Sequence, residues 1–118
     1  MTDIPFRVEP VATPGDAPLG YERAHDGRVR LTVRAGERRT GGYRIAVAGL
    51  SRSGPVLTVR CEIHEPDGGA IVTQALTFPA QTVSVDAALV RGIGHAVLVD
   101  RGGAELARIS AQDLTHLT

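Results

Sequence analysis

Tryptophan and lysine are absent from this 118-residue sequence, methionine and cysteine occur once each, and aromatic side chains make up only 3% of it. Each shortage excludes something. With Phe6, Tyr21, Tyr43 and Phe78 as the whole aromatic complement, the core has to be built from valine, leucine, isoleucine and alanine, and no platform for stacking bases or sugars is available. A single cysteine, Cys61, forms neither an internal disulfide nor a thiolate metal cage. It lies in an alternating apolar run, where a free thiol packs as a small hydrophobe, and that suits a reducing compartment. Thirteen basic residues, all arginine, balance thirteen acidic ones, so no long-range field draws the molecule to nucleic acid or to an anionic membrane. No apolar run approaches a membrane span, and Met1 to Leu19 lacks the basic-then-apolar order of a leader. A cytoplasmic location without a membrane partner is expected.

Glycine and proline are plentiful, with 14 and 7 copies, and they punctuate the chain into short pieces. The length suits one core. Residues 1–27, with Pro5, Pro10, Pro14 and Pro18, read as an irregular arm in which Phe6-Arg7-Val8 can supply an edge strand; 28–118 read as the β domain. Arg28 to Arg34 alternates strictly, turning Val29, Leu31 and Val33 to the core and Arg28, Arg30, Thr32 and Arg34 to water. A hairpin follows. Tyr43, Ile45 and Val47 share a face, the chain turns at Ser51-Arg52-Ser53-Gly54, and 56–65 returns with Leu57, Val59, Cys61 and Ile63 inward.

Beyond Pro66-Asp67-Gly68-Gly69, a more apolar stretch over 70–78 stops at Pro79, which has no ladder N–H and biases Phe78 toward extended geometry. A strand resumes over 81–85 with Val83 and Val85 inward, and the interruption predicts a bend or a crossing between sheets. Asp86 is placed to cap one helical turn over 86–91, which Gly92 and Gly94 prevent from lengthening. A second hairpin joins 95–100 to 105–110 through Arg101-Gly102-Gly103. The expected core is Val29, Leu31, Val33, Ile45, Val47, Leu57, Val59, Cys61, Ile63, Leu76, Val83 and Val85. The expected fold is all-β, a small antiparallel β-sandwich or partly open β-barrel of six to eight short strands.

Chemistry that needs a constellation is not written in this chain. His25, His64, His95 and His116 are widely separated, and Glu62 beside His64 at i,i+2 shares a strand face without closing a metal site. No Gly-x-Ser-x-Gly elbow is present, and Cys61 points inward. Glu62, Glu65 and Asp67 sit in a polar hairpin setting that gives no reason for raised acidity constants. Gly92-Ile93-Gly94 lacks a third glycine and a following helix, so it is a turn and not a phosphate cradle. Neither catalytic residues, nor a metal, nor a cofactor is expected.

Two segments stand out against this background: Arg39-Thr40-Gly41-Gly42-Tyr43, and Gln74-Ala75-Leu76-Thr77-Phe78-Pro79. Taken in order with Leu57-Thr58-Val59-Arg60, Glu65-Pro66 and Val83-Ser84-Val85, they resemble the PrcB carboxy-terminal domain family over roughly residues 28–86. That family is named for a bacterial component associated with a secreted subtilisin-like protease complex. The resemblance implies a non-catalytic β domain that assists a protein partner. It makes Arg39, Thr40, Gly41, Gly42, Tyr43, Gln74, Thr77 and Phe78 the candidate protein-binding residues. The same turn also resembles the Thr-Gly-Tyr loop of chagasin-like inhibitors of papain-type proteases, in which glycine lets backbone approach a cleft and a tyrosine supplies a rigid contact. The companion Arg-Pro-Trp-like loop of those inhibitors has no counterpart here.

Arg28, Arg30, Arg34, Arg38, Arg39 and Arg44 cluster in the first strand pair and its turn, the pattern of a β-barrel that binds single-stranded nucleic acid. Tyr43 is their only aromatic neighbour and no RNA-module motif accompanies them, which makes nucleic acid the less favoured partner. A homodimer through an exposed strand edge is the remaining expectation.

Overall fold

A computed structural model gives the fold; the residues it describes are 1–23, 26–39, 41–66 and 76–110. Among them nine strands form two sheets. The strands are β1 (Thr2–Asp3), β2 (Arg7–Val8), β3 (Leu19–Arg23), β4 (Arg28–Arg34), β5 (Arg44–Ser53), β6 (Val56–His64), β7 (Ala80–Asp86), β8 (His95–Val99) and β9 (Glu105–Ser110). One sheet runs β1-β5-β6-β8-β9 and the other β2-β7-β4-β3. The sheets stay separate, so the all-β expectation resolves to a two-layer sandwich and not a closed barrel. Inward residues of both layers share one core: Val29, Leu31, Val33, Val83 and Val85 face Ile45, Val47, Leu57, Val59, Cys61 and Leu98. Leu31, Leu57 and Leu98 are fully buried, each worth about 1.5–3 kcal/mol relative to exposure.

The chain changes layers between β6 and β7. β6 belongs to one sheet and β7 to the other. A 3-10 turn over Ala87–Val90 then redirects the chain, capped by the Asp86 carboxylate, which accepts the Ala88 N–H at 2.9 Å. The chain re-enters the first sheet as β8, parallel to β6. This is the one parallel pair among the described strands, and β8 forms it because it arrives by a crossover rather than by a tight turn.

The first hairpin turns later than its composition suggested. β5 runs on through Ser53 and the loop is Gly54-Pro55. Gly54 takes φ +57 at the first central position, as a type II′ turn requires. A bulge between Val47 and Gly49 inserts one residue into β5 and shifts its parity, so Leu50 joins Ile45 and Val47 on the inner face. Two residues expected in the core lie outside it. Ile63, next to the last residue of β6, is 38% exposed and stands outside the packed cluster, and Leu76 is 58% exposed ahead of β7.

Proline-rich residues of the arm are pinned to both sheets. β1 pairs with β5, β2 pairs with β7, and Ile4 between them is buried, its N–H donating to the Leu50 carbonyl at 2.9 Å. Past β2 the chain crosses the outer face of the four-stranded sheet. There the Arg34 guanidinium donates to the carbonyls of Ala17 and Thr13 at 2.8 Å and Pro14 at 3.2 Å. The outer face of β4, expected to be wet, is therefore covered, and Thr32 is buried. β3, which alternation alone did not announce, supplies Leu19 and Tyr21 to the core.

Candidate protein-binding surface

The two distinctive segments meet where the β4–β7 ladder loses its regularity. That ladder ends at Arg34 opposite Ala80, and the Ala35 N–H still reaches the Pro79 carbonyl at 3.0 Å. Pro79 accepts there without needing the donor it lacks. Gly36, at φ +78, then swings the chain, and two residues later Arg38 and Thr77 pair as an isolated antiparallel bridge with reciprocal N–H to carbonyl bonds of 2.8 Å. The turn after Arg38 and the segment before Pro79 are thus held side by side by the backbone, independent of any side chain.

Side chains on this scaffold divide by exposure. The Arg38 guanidinium lies over the Tyr43 ring, 5.2 Å from its centroid, within range of a cation–π contact worth about 0.5–1 kcal/mol at an exposed site. Arg38 Nε is buried without a hydrogen-bond partner, so the ring face is what meets this cation. Tyr43 is half-buried, Arg39 and Gly42 are exposed, and Gly41 and Thr77 are half-buried. Gly42 takes φ +91, a conformation that glycine adopts without the Cβ clash. Phe78 is 68% exposed, and Leu76, two residues earlier, is exposed as well. Thr40 and Gln74 lie outside the described residues. The backbone therefore brings Arg39, Tyr43, Thr77 and Phe78 into one neighbourhood, and adds Arg38 and Leu76 to it. The period of two across Leu76-Thr77-Phe78 carried that signal, since it puts both apolar side chains on one face and Thr77 on the other.

Next to Phe78, a groove of about 460 Å³ runs between residues 12–16 of the arm and residues 78–80, with Arg34, Gly36 and Glu37 also lining it. A second groove, about 620 Å³, lies on the other side of the same arm segment against Leu19 to Glu22, Thr32 and Ile109.

The arginine cluster does not form one basic groove. Arg28 donates to the Ser84 hydroxyl at 3.0 Å and the Ser84 carbonyl at 2.8 Å. Arg30 pairs with Glu9 at 3.2 Å and Asp26 at 3.4 Å. Asp26 is held below the usual carboxylate range, first by the Arg28 N–H and also by the Arg30 guanidinium. Arg34 fastens the arm. Arg39 and Arg44 are exposed and make no ion pair among the described residues.

Elsewhere, His64 Nε2 stands 3.6 Å from Glu62, which also meets Arg101 at 4.0 Å. Among the described residues no three His, Cys, Asp or Glu side chains are grouped to hold a metal ion. No helix among them is long and apolar enough to cross a membrane. Cys61 is buried, and burial pushes its thiol upward, with Asp100 adding to the effect.

Comparison with known proteins agrees with the resemblance read from the two segments: residues 31–86 match the family model described as PrcB C-terminal. The matched stretch runs from within β4 through the end of β7 and includes the Arg38–Thr77 bridge. Searches of curated proteins and of solved structures each return no significant match.

Proposed function

We propose that this chain, whose residues 31–86 match the PrcB C-terminal model, is a non-catalytic protein-interaction module that docks on a protease complex. Its contact surface is the turn at Arg39 to Tyr43 together with Leu76, Thr77 and Phe78. The observation that carries the reading is the Arg38–Thr77 bridge, which presents two segments far apart in sequence as one surface with exposed apolar and cationic side chains. Exposed aromatic and arginine side chains are the residue types that anchor protein interfaces. The half-buried Tyr43 is fixed beneath Arg38 and needs little further ordering on binding. The buried free thiol of Cys61 supports a reducing, cytoplasmic setting.

A chagasin-like inhibitor would use the same turn, yet it would lack the tryptophan-bearing companion loop. Single-strand nucleic-acid binding draws little support, because Arg28, Arg30 and Arg34 are committed to partners inside the fold. Self-association is proposed through β9, an edge strand of its sheet whose Leu106 is 46% exposed.

The test is affinity purification from the native cell with the wild-type chain and an Arg39→Ala, Tyr43→Ala double variant, with circular dichroism to establish that both fold. Loss of a protease-complex partner from the variant alone is expected. An unchanged partner set with folding preserved would remove this surface as the binding site.

A further inference from the structure

Phe78 is the one aromatic side chain that the fold leaves exposed, since Tyr21 is buried and Phe6 and Tyr43 are half-buried. It lines the groove of about 460 Å³, whose lining residues all lie among the described ones and include Pro14 and Asp16 of the arm, Arg34, Glu37 and Pro79. The segments around it are fastened to the sheet and to one another. The Thr13 N–H donates to Thr82 Oγ1 at 2.8 Å, Arg34 donates to the Thr13 and Pro14 carbonyls, and the Ala35 N–H reaches the Pro79 carbonyl at 3.0 Å. A groove held in this way is shaped before anything enters it. Three charged residues line it. Arg34 commits its guanidinium to the carbonyls of Thr13, Pro14 and Ala17, whereas Asp16 and Glu37 are exposed and make no ion pair or side-chain hydrogen bond among the described residues. The uncommitted charge of the groove is therefore negative, and it comes from two separate segments of the chain.

We propose that this groove seats an arginine side chain of a partner protein, stacked on the Phe78 ring and flanked by Asp16 and Glu37. An apolar occupant would cover the ring but would also take water from two carboxylates and give them nothing in return. An acidic occupant would meet two like charges, with the one cation of the groove already spent on the arm. A guanidinium answers both conditions. Its planar face gains a cation–π contact over the ring, its forked donors match carboxylate oxygens, and its aliphatic stem packs along proline and phenylalanine carbons. The inference rests on the reading that this chain is a protein-interaction module; it adds a pocket beside the Arg38–Thr77 bridge and the chemistry of the side chain that fills it.

The experiment titrates the full chain with three end-blocked peptides of glycine and alanine whose central residue is arginine, norleucine or glutamate, followed by NMR at the Phe78 ring and the Gly36 amide. Expected results are shifts of both signals with the arginine peptide, binding about tenfold tighter than that of the norleucine peptide, weakening with added salt, and no binding of the glutamate peptide. Asp16→Asn, Glu37→Gln changes two exposed side chains and keeps the ring, and in that double variant the arginine peptide should bind no better than the norleucine one. Equal binding of arginine and norleucine peptides to the wild type, a preference that survives the double variant, or a Phe78 ring that does not respond at saturation would each overturn the proposal. Phe78 signals that shift with the concentration of the chain alone would assign the groove to a second copy and overturn it as well. If the arginine peptide shows no preference while the Arg39→Ala, Tyr43→Ala variant still loses its native partner, the groove is excluded and the interaction surface stands. If the arginine peptide binds as expected while that variant keeps its partners, the groove stands and the turn is excluded.

Discussion

The hydroxyls of Thr32 and Thr82 lie 2.7 Å apart, both buried, on the outer face of the four-stranded sheet. A face of valines would have sufficed for two sheets in contact, but this one is covered by the arm, and the arm brings polar backbone that has to be satisfied. Thr82 Oγ1 also accepts the Thr13 N–H at 2.8 Å, so one side chain serves its cross-strand neighbour and the covering segment together. Thr82→Val leaves two buried groups without partners and should cost about 2 kcal/mol, whereas Thr32→Val leaves the Thr13 contact intact and should cost about 1 kcal/mol. The double variant should lose less than the sum, because replacing both members of a buried pair removes the unsatisfied hydroxyl. Chemical denaturation of the four proteins measures that coupling.

Arg34 holds the same arm by geometry that a lysine cannot reproduce. Its guanidinium reaches three carbonyls, and a Cβ built on Gly15 would fall 2.7 Å from Nη2, while one on Gly20 would fall 3.0 Å from Nη1. The fork is seated between two glycines. Arg34→Lys keeps the charge but not the planar fork, and it should cost about 2 kcal/mol and open residues 12–18 to limited proteolysis while the sheets persist. Gly15→Ala should give the same cleavage pattern by displacing the guanidinium. Arm cleavage at the wild-type rate in both variants would show that the clamp does not hold the arm.

Alternation made much of this fold legible. Val29, Leu31 and Val33, the strand after Pro79, the Asp86-capped turn and the final hairpin were all readable because a period of two, or a cap residue beside glycine, leaves a local mark. What stayed hidden depends on contacts remote in sequence. Thr32 reads as solvent-facing until the arm is laid across it, Leu50 reaches the core only through the bulge, and the parallel pairing of β8 with β6 leaves no mark in either strand. For the candidate surface, the two segments were visible through the family resemblance, but their adjacency was not. The Arg38–Thr77 bridge uses backbone groups that every residue possesses, so no side-chain pattern announces it.

Association through β9 should appear in sedimentation. Glu105 and Arg108 form an ion pair at 2.7 Å on a strand whose Leu106 remains exposed, an edge with mixed charges and one apolar side chain. Such an edge tolerates a symmetric partner. The weight-average mass should rise with concentration across the micromolar range, and Leu106→Asp should suppress the rise. A monomer mass at every concentration would dispose of the dimer.

Alkaline pH should unfold this protein through two buried acids. Burial raises the Tyr21 phenol above its ordinary value of 10.0, against a smaller opposing effect of Arg23, and burial with help from Asp100 raises the Cys61 thiol above its ordinary value of 9.0. In both cases the unfolded chain releases its proton before the folded chain does. The stabilisation is therefore whole below the unfolded values and is lost as pH climbs through them toward the folded ones. The slope can reach about 1.4 kcal/mol per pH unit for each group titrating in the unfolded state alone. Denaturant titrations from pH 8 to 11 should show wild-type stability falling across this window, and Tyr21→Phe flattening the upper part. Cys61→Ala should start from a lower stability, because it leaves a cavity, yet it should flatten the lower part. Parallel curves for wild type and both variants would mean that neither group carries the alkaline transition.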